Sequence, residues 1–358
     1  MHAVTGRPPA AGGDGEEQRG GEAPGGVCAV SRLPGERGRP DVFTVGETMV
    51  ALRGSGPLRL GGTMQVSIAG AESNVAIGLA RLGHAVRWAG TVGDDEAGAL
   101  VLRTLRAEGV EVSAAATDPG APTGLLLFEP RLPEVTRVHY YRAGSAGSRP
   151  AADAVDRAFR AAPPRVLHLT GITPALSPTA RSAAYQVLHL ARRYRSAVCL
   201  DVNFRARLWT AEEAATVLRE WMPFVDVLIA SDDELPLCLP EGAGAAAPGH
   251  ADQARLLLEE GVGEVVVKLG AEGATAFTRD GRVHQPARAV RAVDAVGAGD
   301  AFVAGYLSAL LDGEGPAGRL ERGVTTGAFA VASHGDWEGA PTRAELGMLD
   351  ASPGTVVR

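Results

Sequence analysis

Lysine, cysteine and long apolar runs are scarce in this 358-residue chain. Of its 35 basic residues, only Lys268 is a lysine. Its three cysteines, Cys28, Cys199 and Cys238, lack metal-ligand spacing, which favours free thiols in a reducing cytoplasm over a disulfide framework. No run of 18 apolar residues occurs, so we expect no membrane span. The net charge of −7 argues against nucleic acid as the main partner, and an anionic ligand would need a local cluster of positive charge.

The first 40 residues differ in composition from the rest of the chain. They contain the pairs Gly12-Gly13, Gly20-Gly21 and Gly25-Gly26 and show little apolar periodicity. No apolar stretch there is long enough for a signal peptide. Residues 1–40 are therefore predicted to be a disordered leader.

Apolar strands alternate with amphipathic helices over most of the remaining chain, which is typical of a mainly parallel, doubly wound α/β sheet. We expect a first strand over Phe43–Leu52, a hairpin-like element made of Leu125–Phe128 and Arg137–Tyr141, and a surface loop at 241–249. The predicted helices are 73–82, 96–108, 178–194, 211–221, 251–260, 298–311 and 320–333, and the further strands are 86–92, 166–169, 197–202, 225–229, 264–268 and 275–278. Ligands of such sheets bind beyond the carboxyl ends of the strands.

The segment Asp294-Ala295-Val296-Gly297-Ala298-Gly299-Asp300 is the most informative part of the sequence. It is a glycine-rich turn that leads directly into an apolar helix. A helix N-terminus offers unpaired N–H groups and a positive dipole end, which suit a phosphoryl group. A carboxylate at that position can accept the proton of an attacking hydroxyl, although Asp300 could also be an ordinary N-cap.

This segment resembles the D-x-x-G-A-G-D signature of the ribokinase-like (PfkB) family of carbohydrate kinases. The resemblance extends over about Phe43–Leu346 and implies a three-layer α/β/α fold with a small β lid. It implies a kinase domain at 41–346, lid segments at about 53–67 and 123–142, and a tail at 347–358. It further implies ATP and Mg²⁺ as cofactors, Asp300 as the catalytic base, and an anion hole formed by the N–H groups of Gly297, Ala298 and Gly299.

Three further motifs are similar to those of the branch of this family that phosphorylates 2-keto-3-deoxygluconate. The turn Gly70-Ala71-Glu72-Ser73-Asn74 implies contacts of Gly70, Ala71, Glu72 and Asn74 with the sugar, although a capping turn would look the same. The run Tyr140-Tyr141-Arg142 implies that Tyr140 and Arg142 face the substrate, the guanidinium meeting its carboxylate; the alternative is an exposed edge strand. Asp336 implies a sugar contact or is a loop carboxylate.

The same resemblance implies residues for the phosphates, the nucleotide and the metal. The run from Asp201 to Trp209 implies that Asn203 and Arg205 reach the substrate or the phosphates, with Arg205 holding the transferred group. Glu234 would serve Mg²⁺, with Ser231 where many members have asparagine. Lys268, Gly270 and Gly273 would line the nucleotide.

The resemblance thus implies transfer of the γ-phosphoryl group of ATP to the terminal hydroxyl of 2-keto-3-deoxygluconate. Two alternatives remain at this stage, a fructokinase or ribokinase-like relative and a non-catalytic sugar sensor. Leu126 stands where some members of the branch have tyrosine, so the galactonate epimer could also be accepted. A dimer is expected from family analogy alone.

Overall fold

An eight-stranded sheet forms the centre of the molecule in the computed structural model, which describes residues 39–132, 135–243 and 249–351. The predicted leader up to residue 38, part of the predicted loop (244–248) and the last residues of the predicted tail (352–358) lie outside the described residues. The strands in chain order are β1 (Val42–Val45), β2 (Met49–Gly54), β3 (Met64–Ala69), β4 (Val86–Ala89), β5 (Thr91–Gly93), β6 (Ala116–Asp118), β7 (Leu125–Leu132), β8 (Val135–Tyr141), β9 (Val166–Thr170), β10 (Ala197–Asp201), β11 (Val227–Ser231), β12 (Glu264–Lys268), β13 (Ala274–Thr278) and β14 (Gly281–Gln285).

The α-helices alternate with these strands. They are α1 (Ala71–Arg81), α2 (Glu96–Ala107), α3 (Ala152–Ala161), α4 (Ile172–Leu176), α5 (Pro178–Tyr194), α6 (Ala211–Trp221), α7 (His250–Glu259), α8 (Ala298–Asp312) and α9 (Pro316–Val331). None of the helices in the described part of the chain combines the length and apolarity that crossing a bilayer requires.

The central sheet has the order β14-β13-β12-β11-β10-β9-β1-β4. Strands β4, β1, β9, β10, β11 and β12 run parallel, and β13 and β14 add antiparallel at one edge. One buried cluster joins this sheet to α3, α5, α6 and α7, and a second joins it to α1, α2, α8 and α9. The predicted three-layer α/β/α fold is therefore confirmed.

A separate four-stranded sheet, β3-β2-β7-β8, forms the small lid. Strand β2 pairs antiparallel with β3 and parallel with β7, and β7 pairs antiparallel with β8. The lid strands cover Met49–Ala69 and Leu125–Tyr141, so the lid begins earlier in the chain than the predicted segment at 53–67. The chain passes from β1 of the central sheet to β2 of the lid through residues 46–48.

The predicted strand Phe43–Leu52 was wrong, because β1 ends at Val45 and β2 begins at Met49. Gly46 lies in this break, and a Cβ there would overlap the carboxyl group of Glu72, so the position requires glycine. Helix α3 was missed, although its two buried residues, Val155 and Phe159, stand four residues apart as a helix requires. Helix α5 has the predicted bounds, with Ser177 as its N-cap.

Candidate active site

A cavity of about 440 Å³ lies between the lid and the carboxyl ends of the central strands. Such a position is the expected ligand site of a doubly wound sheet. The structure brings all the predicted substrate-binding residues to its wall: Gly70, Ala71, Glu72, Asn74, Tyr140, Arg142, Arg205, Asp300 and Asp336.

Asp300 lies in the first turn of α8 and is only 8% exposed. Its Oδ2 accepts a hydrogen bond of 2.8 Å from Nδ2 of Asn74 on α1. The two helices pack closely, since a Cβ on Gly78 would come within 2.7 Å of Ala304. Burial raises the pKa of Asp300 to about 6, against the opposing hydrogen bond from Asn74. The carboxylate is thus positioned by helix packing and has the proton affinity of a base that works near neutral pH.

A second buried carboxylate, Asp201, stands beside Asp300. Nδ2 of Asn203 lies 3.1 Å from Oδ2 of Asp201 and 3.4 Å from Oδ1 of Asp300, so one amide serves both acids. Asn203 has φ = 42°, a conformation that asparagine tolerates better than most residues. Nζ of Lys268 donates to Asp201 at 2.7 Å. Burial disfavours the ammonium, but the charges of Asp201 and Glu234 outweigh it, so the pKa of Lys268 lies above its ordinary value.

The turn before α8 exposes backbone donors to the cavity. Gly297 has φ = 76°, and a Cβ there would overlap the carbonyl of Asp336, so only glycine fits this position. In the described chain, the N–H groups of Gly297, Gly299 and Asp300 have no protein acceptor, while that of Ala298 is 3.4 Å from the Ala295 carbonyl. Backbone donors in this arrangement suit an anion.

A second cavity, of about 660 Å³, adjoins the same turn on the other side. Its walls are mostly apolar and include Phe302 and Val324, together with Gly270 and Gly273 of the loop between β12 and β13. A Cβ on Gly273 would overlap the carbonyl of Gln285, so this glycine permits the close turn. Three residues line both cavities: Lys268, Ala295 and Gly299. The two cavities therefore meet at the N-terminus of α8.

Glu234 lies on the cavity wall with its carboxylate already bonded to the protein. Oε1 accepts from the N–H of Phe204 at 2.7 Å, and Oε2 accepts from the N–H of Ser231 at 2.9 Å. The hydroxyl of Ser231 donates to Asp233 at 2.5 Å. No cluster of three or more acidic, histidine or cysteine ligands occurs among residues 39–132, 135–243 and 249–351. Glu234 keeps unused lone pairs, which suit hydrogen bonds from metal-bound water better than direct coordination.

Arg142 is paired with a buried acid, Glu47. Nε of Arg142 donates to Oε2 of Glu47 at 2.7 Å, and Nη2 lies 2.5 Å from the same oxygen. The guanidinium carbon stands 5.7 Å from the ring centre of Tyr140, and both side chains line the cavity, as strand alternation predicted. Arg205 is exposed, and its guanidinium has no hydrogen bond or ion pair within the described chain.

Asp336 and Glu72 are both more enclosed than the sequence indicated. Arg53 of β2 reaches Asp294 at 2.9 Å and Asp336 at 3.6 Å. Burial raises the pKa of Asp336 to about 8, with Arg53 opposing the rise. Oε1 of Glu72 accepts from Thr170 at 2.6 Å and from Thr173 at 2.8 Å, and its pKa is raised by burial. Glu72 thus lines the cavity and joins the first turn of α1 to β9 and α4.

Three residues of the site were not identified from the sequence: Glu47, Arg53 and Asp201. Asp201 opens the run that contains Asn203, at the end of an apolar strand, and this position was a usable signal. Glu47 also follows a buried strand, but its partner Arg142 is 95 residues away. Arg53 contacts acids more than 200 residues further along the chain.

Comparison with known proteins agrees with this arrangement. A family model described as pfkB family carbohydrate kinase matches residues 39–343. The 2-dehydro-3-deoxygluconokinase of Thermoproteus tenax is 37% identical over 331 residues, 90% of this chain and 98% of that protein. The 2-dehydro-3-deoxygalactonokinase of Haloferax volcanii is 34% identical over 300 residues, 83% and 92% of the two chains.

Among solved structures, the PfkB protein from Polaromonas sp. JS666 has a TM-score of 0.75 and 35% identity, covering 86% of this chain and 99% of that one. The family model and the Thermoproteus relative both extend over most of the chain, and the residues that the family model matches include the lid, the cavity and the helix that carries Asp300. This chain belongs to the pfkB family of carbohydrate kinases.

Proposed function

We propose that this kinase transfers the γ-phosphoryl group of ATP to the terminal hydroxyl of 2-keto-3-deoxygluconate, giving the 6-phosphate and ADP. One observation carries the proposal: buried Asp300 and unpaired backbone donors lie where a polar cavity meets an apolar one. Such a pair of cavities suits a polyol acid on one side and a nucleotide base on the other.

Asp300 is assigned as the general base. In the reactive complex its carboxylate lies about 2.6–3.2 Å from the terminal hydroxyl and takes the proton as that oxygen attacks the γ-phosphorus. The bond from the γ-phosphorus to the β,γ-bridging oxygen breaks, and ADP leaves with that electron pair. With its pKa at about 6, Asp300 is mostly ionised at neutral pH and ready to accept the proton.

Two groups are assigned to the transferred phosphoryl group. The N–H groups of Gly297, Ala298 and Gly299 lie at the start of α8, where the helix dipole also favours negative charge. The guanidinium of Arg205 lines the same cavity and is available for an additional anion. Both stabilise charge on the oxygens of the phosphoryl group during transfer.

The acid end of the sugar is assigned to the lid side of the cavity. Arg142 offers Nη1 to a carboxylate, while Asn74, Tyr140 and Asp336 offer donors and acceptors to hydroxyls. A neutral sugar would leave the guanidinium edge without a partner. This residue set therefore supports a sugar acid over fructose or ribose.

The nucleotide is assigned to the apolar cavity, with Gly270 and Gly273 beside it and Lys268, Asn203 and Ser231 toward the phosphates. Mg²⁺ bound with ATP would neutralise phosphate charge, and Glu234 fits the task of accepting hydrogen bonds from its water molecules. The lid over the cavity excludes water, which would otherwise compete as the phosphoryl acceptor. A cytoplasmic location and a lid-mediated dimer remain predictions; sedimentation of the purified protein would test the dimer.

The function is tested by ADP release with Mg-ATP on five acceptors: 2-keto-3-deoxygluconate, its galactonate epimer, fructose, ribose and adenosine. We expect kcat/KM to be highest for a ketodeoxy acid. Leu126 lines the cavity where some relatives have a tyrosine, so the assay also ranks the two epimers. A preference for fructose or ribose would refute the sugar-acid assignment and leave the family intact.

A further inference from the structure

We propose that Glu47 is a positioning residue that orients Arg142 for the substrate carboxylate. This inference rests on the proposed function, because it assumes that Arg142 receives a sugar acid. Glu47 lies on the segment that links β1 of the central sheet to β2 of the lid. Its side chain is 1% exposed and reaches the wall of the substrate cavity.

The carboxylate of Glu47 is fully engaged by two groups that follow β8. Oε2 accepts from Nε of Arg142 at 2.7 Å and pairs with Nη2 at 2.5 Å. Oε1 accepts from the hydroxyl of Ser145 at 2.5 Å. The side chain of Glu47 thus connects two segments, the one that leads from β1 into the lid and the one that leaves the lid after Tyr141.

Close packing fixes the position of this carboxylate. A Cβ on Gly147 would overlap the side chain of Glu47, and a Cβ on Gly124 would come within 3.0 Å of its Oε1. A Cβ on Gly70 would overlap the backbone oxygen of Glu47. Glycines at these three positions therefore let the chain close around Glu47, and the carboxylate has little freedom to turn away from Arg142.

The geometry leaves one edge of Arg142 available. Nε and Nη2 face Glu47, whereas Nη1 has no hydrogen-bond acceptor in the described ranges, and the side chain as a whole is 12% exposed. A guanidinium presents its donors in a fixed plane, so binding one edge sets the direction of the other. Glu47 consequently aims Nη1 at the cavity and also compensates the charge of Arg142 when no substrate is bound.

The experiment is a double-mutant cycle on the full-length enzyme, with KM measured separately for 2-keto-3-deoxygluconate and for ATP. The variants are Glu47→Ala, Arg142→Ala and the double substitution, with thermal unfolding followed for each. We expect each single change to raise KM for the sugar acid about tenfold or more, because a charge-assisted hydrogen bond is lost. The double variant should be no worse than Arg142→Ala alone, because Glu47 acts through Arg142.

Two further variants separate positioning from a general structural effect. Glu47→Gln keeps one oxygen for Arg142 and should recover part of the affinity, and it replaces Glu47→Ala in the cycle if the alanine variant does not fold. Ser145→Ala removes the other bond to Glu47 but leaves the Arg142 pair, so its KM for the acid should change less than about threefold.

The inference would be overturned if the increases in KM for the sugar acid caused by Glu47→Ala and Arg142→Ala multiplied in the double variant. It would also be overturned if Glu47→Ala raised KM for ATP as much as KM for the acid. A Ser145→Ala variant as impaired as Glu47→Ala would also overturn it. Failure of the proposed function looks different, because the wild-type enzyme would then not phosphorylate the ketodeoxy acid at all.

Discussion

The two ends of the substrate cavity are built differently. At the α8 end, a buried carboxylate and backbone donors are held by helix packing on the central sheet. At the lid end, the contacts are long side chains joined in ion pairs, and Tyr140 is 41% exposed. Groups held by the central sheet and its helices are suited to phosphoryl transfer, the step that all members of a kinase family share. Side chains on the separate lid sheet can differ between members that act on different substrates.

Asp300→Asn tests the α8 end most severely. The amide keeps the shape and the bond to Asn74 but cannot accept the proton, so kcat should fall about 10²–10⁴-fold. KM for ATP should stay within about threefold of wild type. Steady-state kinetics with 2-keto-3-deoxygluconate measure both values, and a kcat near the wild-type value would remove Asp300 as the base.

Gly297→Ala tests whether the turn before α8 must be glycine. The added Cβ would overlap the Asp336 carbonyl and strain a left-handed residue, which should displace the anion site and lower kcat about 10²-fold.

Gly313→Ala is the matched control, because Gly313 ends the same helix with φ = 87° and open space around it. This change should lower the free energy of unfolding by about 1 kcal/mol and leave kcat unchanged. Equal losses of kcat in the two variants would mean that the turn has no special role.

Arg142→Ala tests the lid end. Loss of the guanidinium should raise KM about tenfold or more for the ketodeoxy acid, with a much smaller change for any neutral sugar that the enzyme accepts. The ratio of kcat/KM for the acid and for fructose reports this directly. Equal losses of kcat/KM for both sugars would argue against a contact between Arg142 and the substrate carboxylate. The lid end would then not determine which substrate is accepted.

The acidic side of the pH profile should report the α8 end. Asp300 acts in its ionised form, so kcat/KM should fall about tenfold per pH unit as the pH drops below a pKa of about 6. Asp201→Asn removes a negative charge that helps raise the pKa of Asp300, so this acidic limb should move to lower pH.

Asp156→Asn, on the distant helix α3, is the control, and it should leave the acidic limb of the pH profile of kcat/KM unchanged. A profile that does not move in Asp201→Asn would show that the two carboxylates are not coupled.

Much of the α8 end could be predicted from the sequence because its parts are contiguous. The turn, its glycines and Asp300 lie within seven residues, and a helix N-terminus has known chemistry. Helix bounds such as Pro178–Tyr194 were predicted correctly because a capping serine and an apolar period mark them.

The lid end was harder to predict because its contacts join distant residues. Arg142 was identified, but its pairing with Glu47 depends on how the lid folds back on β1. Glu72 was predicted as a sugar contact, but its hydrogen bonds to two threonines were not predicted, because those threonines lie 98 and 101 residues away in the chain. The requirement for glycine at position 46 was missed for the same reason, because the neighbouring Glu72 is brought there by tertiary packing.

Identification of the product by ³¹P NMR tests the central claim most directly. Wild-type enzyme is incubated with Mg-ATP and 2-keto-3-deoxygluconate beside Asp300→Asn at equal concentration. We predict a phosphomonoester on the terminal carbon with wild type, formed in equal amount with ADP, and at most a trace with the variant. No sugar phosphate with wild type, or equal formation by both proteins, would contradict the account.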